Sequence, residues 1–227
     1  MNPTPLWKRA VAEFVGTGLL VTVVVGSGIA AQRLSPDDTG LQLLENSIAT
    51  ALGLAVLIVV FQTVSGSHFN PLVSLADRSL GAELDAAAIL TYLASQLLGG
   101  IGGAVLADVM FDTRTTIADT DRISAGHLLG EVVATAGLIL LIFALARTNR
   151  VAIIGPAVGA YIGAAYWFTS STSFANPAVT IGRVFSDTFA GIAPLSALAF
   201  VAAQLVGAAF GVGLVLVFFP TTRKVPA

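Results

Sequence analysis

The fold of this chain is decided by two short stretches that resemble each other, Ser65-Gly-Ser-His-Phe-Asn-Pro-Leu-Val-Ser-Leu75 and Ser171-Thr-Ser-Phe-Ala-Asn-Pro-Ala-Val-Thr-Ile181. Five of the eleven aligned positions are identical, and each stretch contains an Asn-Pro pair. Asparagine is a preferred N-cap, and proline fits the first helical position because a helix start leaves that N–H unpaired anyway. Asn70-Pro71 and Asn176-Pro177 therefore predict two helix starts.

Both predicted helices are too short to cross a membrane. About nine residues follow before Gly81 in the first case and about ten before Thr188 in the second, whereas a full span needs roughly 20 apolar residues. Irregular backbone at membrane depth is tolerated only where protein buries it or where it lines a wet cavity. We therefore predict two half-helices, in segments 64–85 and 170–192, beside a water-filled path.

The rest of the chain has the composition of an integral membrane protein. It is 56% hydrophobic and only 11% charged, with a mean hydropathy of +0.88, against roughly 25% charged residues in an ordinary soluble domain. Apolar runs separated by polar, glycine or proline breaks predict six full spans. The fold class is therefore all-α, one transmembrane domain over residues 1–227, with spans at about 9–31, 46–63, 86–107, 126–146, 151–169 and 193–218.

The distribution of charge predicts the orientation. The run 10–31 lacks the features of a cleavable signal peptide and is interpreted as part of the first span. Segment 108–124 holds four aspartates, and a polar loop is predicted at 32–45; both would lie outside. By the positive-inside rule, both termini would be cytoplasmic, and we expect the protein in the cell membrane. The positive residues that decide this are Lys8, Arg9, Arg147, Arg150, Arg223 and Lys224.

The two halves of the chain form a repeat. Glu13 and Glu131 stand early in the first span of each half, and Gln96 and Gln204 in the third. The glutamates lie 118 positions apart and the asparagines 106, and the predicted loop 32–45 would absorb this difference of 12. Because each half has an odd number of spans, about 9–107 and 126–218, the repeat is inverted, which places equivalent elements face to face near the midplane.

Two helix starts that meet at the midplane would form a site for uncharged solutes. Their positive ends would point at one spot, and the amides of Asn70 and Asn176 would be free to donate hydrogen bonds to a passing molecule. Cations and protons would be disfavoured there. The residues alone therefore predict a pore.

Several function classes are disfavoured by what the sequence lacks. It has no cysteine and only two histidines, which argues against metal and redox chemistry. A net charge of −2 without a basic tract gives no reason to expect a nucleic-acid partner. No catalytic set of side chains is evident. We therefore expect no cofactor, no metal site and no enzymatic activity.

The paired Asn-Pro motifs, the two glutamates and the two glutamines together resemble the aquaporin and glyceroporin family, the major intrinsic proteins, along nearly the full length. The resemblance implies six helices and two re-entrant half-helices. It also implies passage of water and small neutral solutes, and a homotetramer in the lipid bilayer with one pore per subunit.

The chain departs from the family pattern at two positions. Leu72 stands where the family usually has alanine after Asn-Pro. Val179 stands where most members carry an arginine that narrows the outer filter, and the nearest arginine, Arg183, lies one helical turn further on. Loss of a guanidinium removes a positive charge and several donors. We therefore expect a wider, more apolar outer constriction that passes solutes larger than water.

By the same resemblance, the remaining filter positions would be Leu52 on the second span, Ala164 on the fifth and Ser173 before the second motif. The assignments of Leu52 and Ala164 depend on alignment across a two-residue gap. A filter of aliphatic and small residues resembles a bacterial branch of the family associated with arsenic resistance. Arsenous acid, which is neutral at pH 7 and shaped somewhat like glycerol, is therefore an expected solute.

Each of the other polar residues has two alternative roles. Glu13 and Glu131 could relay protons, but matched positions in both halves favour acceptors for loop N–H groups. Gln96 and Gln204 line the path or brace the loops, and the resemblance favours bracing. For His68, lining the inner half of the pore and satisfying loop backbone groups are equally open. Glycines near Gly99 and Gly207 are read as helix-packing surfaces rather than hinges.

Three other functions remain as alternatives. A water-selective aquaporin would have the same fold. A secondary transporter also uses inverted repeats and broken helices, but no span offers an unmatched acid or an Arg–Asp pair that would couple ions to a substrate. A membrane enzyme would need a catalytic set that the sequence does not offer.

Overall fold

The computed structural model describes residues 4–220 of the 227-residue chain, and all regular structure in that range is helical. Arg223 and Lys224, used above to predict the orientation, lie outside the described residues. Six helices are long and apolar enough to cross a membrane, and two short helices lie between them. The predicted fold class, six spans and two half-helices, is confirmed.

The bounds of the helices follow the inverted repeat. The long helices are α1 (Leu6–Leu34), α2 (Thr39–Ser65), α4 (Ala86–Met110), α5 (Ala125–Arg147), α6 (Ile154–Phe168) and α8 (Pro194–Phe218). The short helices are α3 (Pro71–Ser79) and α7 (Pro177–Gly182). One 3₁₀ turn, Val151–Ile153, leads into α6, and another, Arg183–Phe185, continues α7. Every predicted span boundary except the start of α2 falls within three residues of the observed one.

The predicted polar loop 32–45 is wrong, because α2 begins at Thr39. The side chain of Asp38 caps it by accepting the N–H of Leu41 at 2.9 Å. Of the polar residues in the predicted loop, Gln42 is buried in the first turns of α2, and its side-chain amide donates to the carbonyl of Ser35 at 2.7 Å. The extra length of the first half therefore lies in its helices, since α1 and α2 have 29 and 27 residues against 23 in α5 and 18 in the fifth span.

The two halves use equivalent close helix pairs, α1 with α4 and α5 with α8. A Cβ added to Gly103 would clash with the carbonyl oxygen of Gly18 on α1, and a Cβ on Gly207 of α8 would meet the carbonyl of Val132 on α5 at 2.5 Å. Backbones approach this closely only through small residues. The interpretation of the glycine runs as packing surfaces is therefore confirmed.

The half-helices join the two halves. Helix α3 packs on α4, α5 and α8, and α7 packs on α4, α8 and α1, so each half-helix contacts helices of both repeats. Following the predicted orientation, we call the face that carries segment 111–124 the outer face and the opposite face the inner face. The cap of α3 is Asn70 and that of α7 is Asn176, and the two helix starts meet inside the bundle.

Gly103→Val should loosen the α1–α4 contact, because the added side chain would collide with backbone that cannot move aside. Overpacking of this kind costs about 1–3 kcal/mol, which corresponds to a fall in Tm on the order of 2–12 °C for a chain of this size. The measurement is thermal unfolding of purified protein in detergent. Gly102→Val is the matched control, because a Cβ there meets nothing within 4 Å. An equal fall in both variants would contradict the packing role.

Candidate functional site

The site is built from two loops whose backbones repeat each other. Ser67 and Phe69 have φ of 53° and 47°, and the equivalent Ser173 and Ala175 have φ of 51° and 48°. Positive φ in a residue other than glycine is strained and persists only where surrounding contacts enforce it. The contacts that hold these loops must therefore be strong.

In the first half, Glu13 supplies those contacts. Its side chain is fully buried. One carboxylate oxygen accepts the hydroxyl of Ser65 at 2.6 Å and the N–H of His68 at 3.0 Å, and the other accepts the N–H of Phe69 at 2.7 Å and the amide of Gln96 at 2.8 Å. Four donors on one buried carboxylate leave it no free lone pair for a proton relay.

In the second half, Glu131 plays the same part. Its two carboxylate oxygens accept the backbone N–H groups of Phe174 and Ala175, both at 2.9 Å. Gln204 donates to it at 2.6 Å and also to the hydroxyl of Thr180 on α7. Gln96 makes the equivalent pair of bonds in the first half. Both glutamines thus brace a loop against its half-helix.

The half-helices begin as the sequence predicts, with an asparagine cap and a buried proline, Pro71 or Pro177, at the first helical position. In each cap, Oδ1 accepts the backbone N–H two residues later at 2.9 Å. The amide nitrogens then cross between halves: Asn70 donates to the carbonyl of Ala175 at 2.8 Å, and Asn176 to that of Phe69 at 2.7 Å. Each amide retains a second hydrogen that it can donate to a solute.

The asparagines lie beside a cavity of about 280 Å³ with a two-sided lining. The re-entrant loops and half-helices form one side, where the groups that can hydrogen-bond are concentrated. The opposite side comes from the long helices, which also contribute Thr50, Gln62 and Tyr166. It is mostly aliphatic, with lining residues Leu20, Val24, Leu54, Ile58, Leu138, Ile142, Ile154, Val158 and Ile162.

Five of the predicted pore residues line this cavity: Asn70, Asn176, Val179, Ser173 and His68. Val179 is 6% exposed. The hydroxyl oxygen of Ser173 has no hydrogen-bond partner within residues 4–220. Such a group is available to a solute or to water in the cavity.

The assignment of Leu52 to the filter is wrong. Its side chain is 66% exposed and lies on the outside of the bundle, away from the cavity. The lining residues of α2 are Thr50 and Leu54 on the other side of the helix, followed at intervals of four by Ile58 and Gln62. That spacing is one helical face, and the polar residues at its two ends were the sequence signal that could have identified it.

The assignment of Ala164 is wrong for the same reason. Ala164 is exposed on the surface of α6, whereas Ile162 and Tyr166, two positions to either side, line the cavity. The hydroxyl of Tyr166 donates to Thr50 on α2 at 3.2 Å. This pair was missed, because a shift of two residues on a helix turns a side chain to the opposite face.

Arg183 also lines the cavity, toward its outer end. It is only 4% exposed. Its Nε donates to the carbonyl of Ala190, and its guanidinium stacks 3.5 Å from the ring centre of Phe174. The expectation that this end of the cavity has lost its positive charge is therefore wrong: the position of Val179 is apolar, but a guanidinium remains one turn further out.

His68 has the first of the two roles left open for it, because its ring lines the cavity and its two nitrogens lie next to side chains rather than loop backbone groups. The ring lines the inner part of the cavity, and Nδ1 lies 2.9 Å from the hydroxyl of Ser74. Nε2 lies 3.4 Å from a carboxylate oxygen of Asp77, another lining residue. Among residues 4–220, no three histidine or acidic side chains cluster so as to hold a metal ion.

The two half-helices meet end to end beside a cavity, and buried acids hold the loops that precede them. This arrangement, built from an inverted repeat, defines a membrane channel protein. Residues 1–174 match the family described as Major intrinsic protein. The chain is 45% identical over 215 residues to "Aquaglyceroporin AqpS" of Rhizobium meliloti (strain 1021). The matched region covers 94% of this chain and 91% of that protein. This chain belongs to the major intrinsic protein family.

More distant relatives agree with this. The chain is 33% identical over 187 residues to "Probable aquaporin TIP-type" of Medicago truncatula, covering 77% of this chain and 74% of that one. The X-ray structure of the aquaglyceroporin from Plasmodium falciparum superposes with a TM-score of 0.69 at 20% identity, over 96% of this chain and 97% of that chain. At that identity the likeness concerns the fold.

Leu54→Trp should block the pore, because the indole would enter the cavity from α2. We expect water permeability of reconstituted vesicles to fall to less than about a tenth, since passage depends steeply on the free cross-section. Leu52→Trp makes the same change two residues away, on the outside of the bundle, and should leave permeability unchanged. The reverse pattern in stopped-flow light scattering would restore Leu52 as the filter residue.

Glu131→Gln should destabilise the second loop. A neutral amide replaces two carboxylate oxygens by one acceptor and one donor, so at least one of the donors from Phe174, Ala175 and Gln204 loses its partner. A buried unpaired donor costs about 1–3 kcal/mol, which thermal unfolding in detergent would show as a lower Tm. Glu45→Gln is the control, because Glu45 accepts one bond, from the Ser35 hydroxyl, which glutamine can also accept. An unchanged Tm in Glu131→Gln would refute the bracing role.

Proposed function

We propose that this protein is a passive channel for small uncharged solutes, namely glycerol-like molecules and metalloid hydroxides such as arsenous acid, together with water. The observation that carries the proposal is the two-sided lining of the cavity. A solute such as glycerol has hydroxyl groups and a carbon chain, so it can hydrogen-bond to the loops while its carbon atoms contact the aliphatic wall.

The position of Val179 supports solutes larger than water. It lies one turn along α7 from Asn176 and lines the cavity. A valine occupies much less of the cross-section there than the arginine typical of the family, and it offers no donor. The 45% identity to a protein named as an aquaglyceroporin supports the same class of solute.

Arsenous acid fits the same reasoning by its shape and charge. It is uncharged at neutral pH and carries three hydroxyl groups. It therefore avoids the free-energy cost of moving a charge past the positive helix starts. Its hydroxyl groups can exchange their hydrogen bonds to water for hydrogen bonds to Asn70, Asn176 and Ser173.

A water-selective aquaporin is the second candidate, and Arg183 favours it. The guanidinium, the ring of Phe174 and the phenol of Tyr166 are bulky groups toward the outer end of the cavity. A secondary transporter is less well supported, because Glu13 and Glu131, the acids of α1 and α5, are engaged by loop and glutamine donors.

We further propose that the protein resides in the cell membrane as a homotetramer with both termini in the cytoplasm. Lys8, Arg9, Arg147 and Arg150 support the orientation, since they fall on the inner face by the helix order. The proposal of a tetramer comes from the family.

Val179→Arg should suppress passage of the larger solutes more than passage of water, because it adds a long cationic side chain beside Asn176. The measurement is light scattering of proteoliposomes after osmotic steps with water alone, glycerol and arsenous acid. We expect glycerol and arsenous acid permeability to fall about tenfold or more relative to water.

Val179→Leu is the matched control, because it adds volume without charge. Wild-type protein that passes water but neither larger solute would overturn the solute assignment and favour the water-selective candidate. Flux that saturates and follows an ion gradient would indicate a transporter.

A further inference from the structure

The half-helices present the same three positions to the cavity. These positions are the capping asparagine itself, the residue three positions after it and the residue seven positions after it. This spacing places them on one face of a helix. All six residues line the cavity, namely Asn70, Val73 and Asp77 from the α3 half and Asn176, Val179 and Arg183 from the α7 half. The first two positions are identical in the two halves, and the third carries opposite charges.

Arg183 places a positive charge toward the outer end of the cavity. Its Nε is used by the carbonyl of Ala190, and the plane of the group lies on Phe174. Within residues 4–220, no carboxylate lies within 4.0 Å of it. Its charge is therefore not neutralised by a close partner, and the terminal nitrogens make no other hydrogen bond in the part of the chain that is described.

Asp77 places a negative charge toward the inner end. It is the last residue but two of α3, and its side chain is 31% exposed. The only basic group of the described chain within 4.0 Å of it is the His68 ring, whose Nε2 lies at 3.4 Å. Asp77 is thus open to the mouth of the cavity on the inner face, where a solute passes before it reaches the asparagines.

The helix starts at the centre of the pore present no barrier to anions, and a carboxylate at the inner end supplies one. Two helix starts that point at one spot repel cations but attract anions, and Arg183 adds to both effects. A pore with these groups alone would exclude cations and admit anions. A carboxylate at the other end supplies the missing barrier, because an anion must pass it without a counter-charge.

We propose that Asp77 and Arg183 form an opposed pair of charge filters, in which Arg183 with the helix starts excludes cations and Asp77 excludes anions. The inference rests on the proposed function, since it explains how a pore for neutral solutes rejects ions of the same size. Val179 then leaves room for the solute next to Asn176, while charge selection is made at the two ends.

The test compares neutral and charged molecules of nearly equal shape. Urea and guanidinium form one pair, and dimethyl sulfone and methanesulfonate form the other; both ions stay fully charged at pH 7. Flux of tracer amounts into proteoliposomes of uncharged lipid is measured for wild type, Asp77→Asn and Arg183→Gln. In wild type we expect both neutral molecules to pass and both ions to be rejected.

Asp77→Asn should raise the ratio of methanesulfonate to dimethyl sulfone permeability about tenfold, which corresponds to about 1.4 kcal/mol, with the guanidinium ratio unchanged. Arg183→Gln should raise the ratio of guanidinium to urea permeability, by a smaller factor because the helix starts still repel cations. The charge-keeping variants Asp77→Glu and Arg183→Lys should retain wild-type ion rejection. Arg78→Gln is the control, since it removes a charge next to Asp77 that does not line this cavity.

Urea flux reports a folded, open pore in every variant. If Asp77→Asn passes urea and dimethyl sulfone but still rejects methanesulfonate, the charge-filter proposal is overturned while the proposed function stands. Glycerol flux into the same proteoliposomes tests the proposed function separately: if wild type passes neither glycerol nor the two neutral test molecules, the proposed function fails first. Arg183 is buried, so its variant risks misfolding; in that event Asp77→Asn, at a half-exposed site, decides by itself whether the proposal holds.

Discussion

The structure depends on finding partners for the backbone N–H groups of two loops that lie within the membrane. Lipid offers no hydrogen bonds, so each unpaired group would cost several kcal/mol. Glu13 and Glu131 meet this demand, each from a long helix, and hold the N–H groups of two consecutive loop residues. A buried carboxylate is itself costly, but here three or four donors surround it. The strained backbone at Phe69 and Ala175 is kept by these bonds.

With the loops fixed, the repeat determines the pore. Each asparagine caps its own helix through oxygen and ties the opposite loop through nitrogen, so the two halves hold each other at the point where their helices begin. The same bonds orient both amides toward one cavity. The two halves then differ in what they present to a solute only where equivalent lining positions carry different residues. His68 of the first half corresponds to Phe174 of the second, and Asp77 corresponds to Arg183.

Much of this could be predicted from the sequence, because the strongest signals are periodic or paired. Six apolar runs and two Asn-Pro pairs predicted the fold, and the matched acids predicted the loop acceptors. The start of α2 was missed because the segment 39–45 contains polar residues, although one of them, Gln42, is buried and donates to the carbonyl of Ser35. Leu52 and Ala164 were misplaced by two residues, because mostly apolar helices give only a weak signal of which face is buried. In α2 that signal was limited to Thr50 and Gln62 at the two ends of the lining face.

Arg183 shows why a missing motif residue does not by itself describe a site. The sequence suggested that charge had left the outer filter together with the arginine at the position of Val179. The structure keeps a guanidinium in the cavity wall, moved outward by about one helical turn, or roughly 5–6 Å. A charge at that place can still repel a cation through a low-dielectric wall, but it no longer occupies the cross-section beside Asn176. Under the proposed function, size selection would then rest on the position of Val179 and charge selection on Arg183, two roles that the arginine typical of the family would combine at one position.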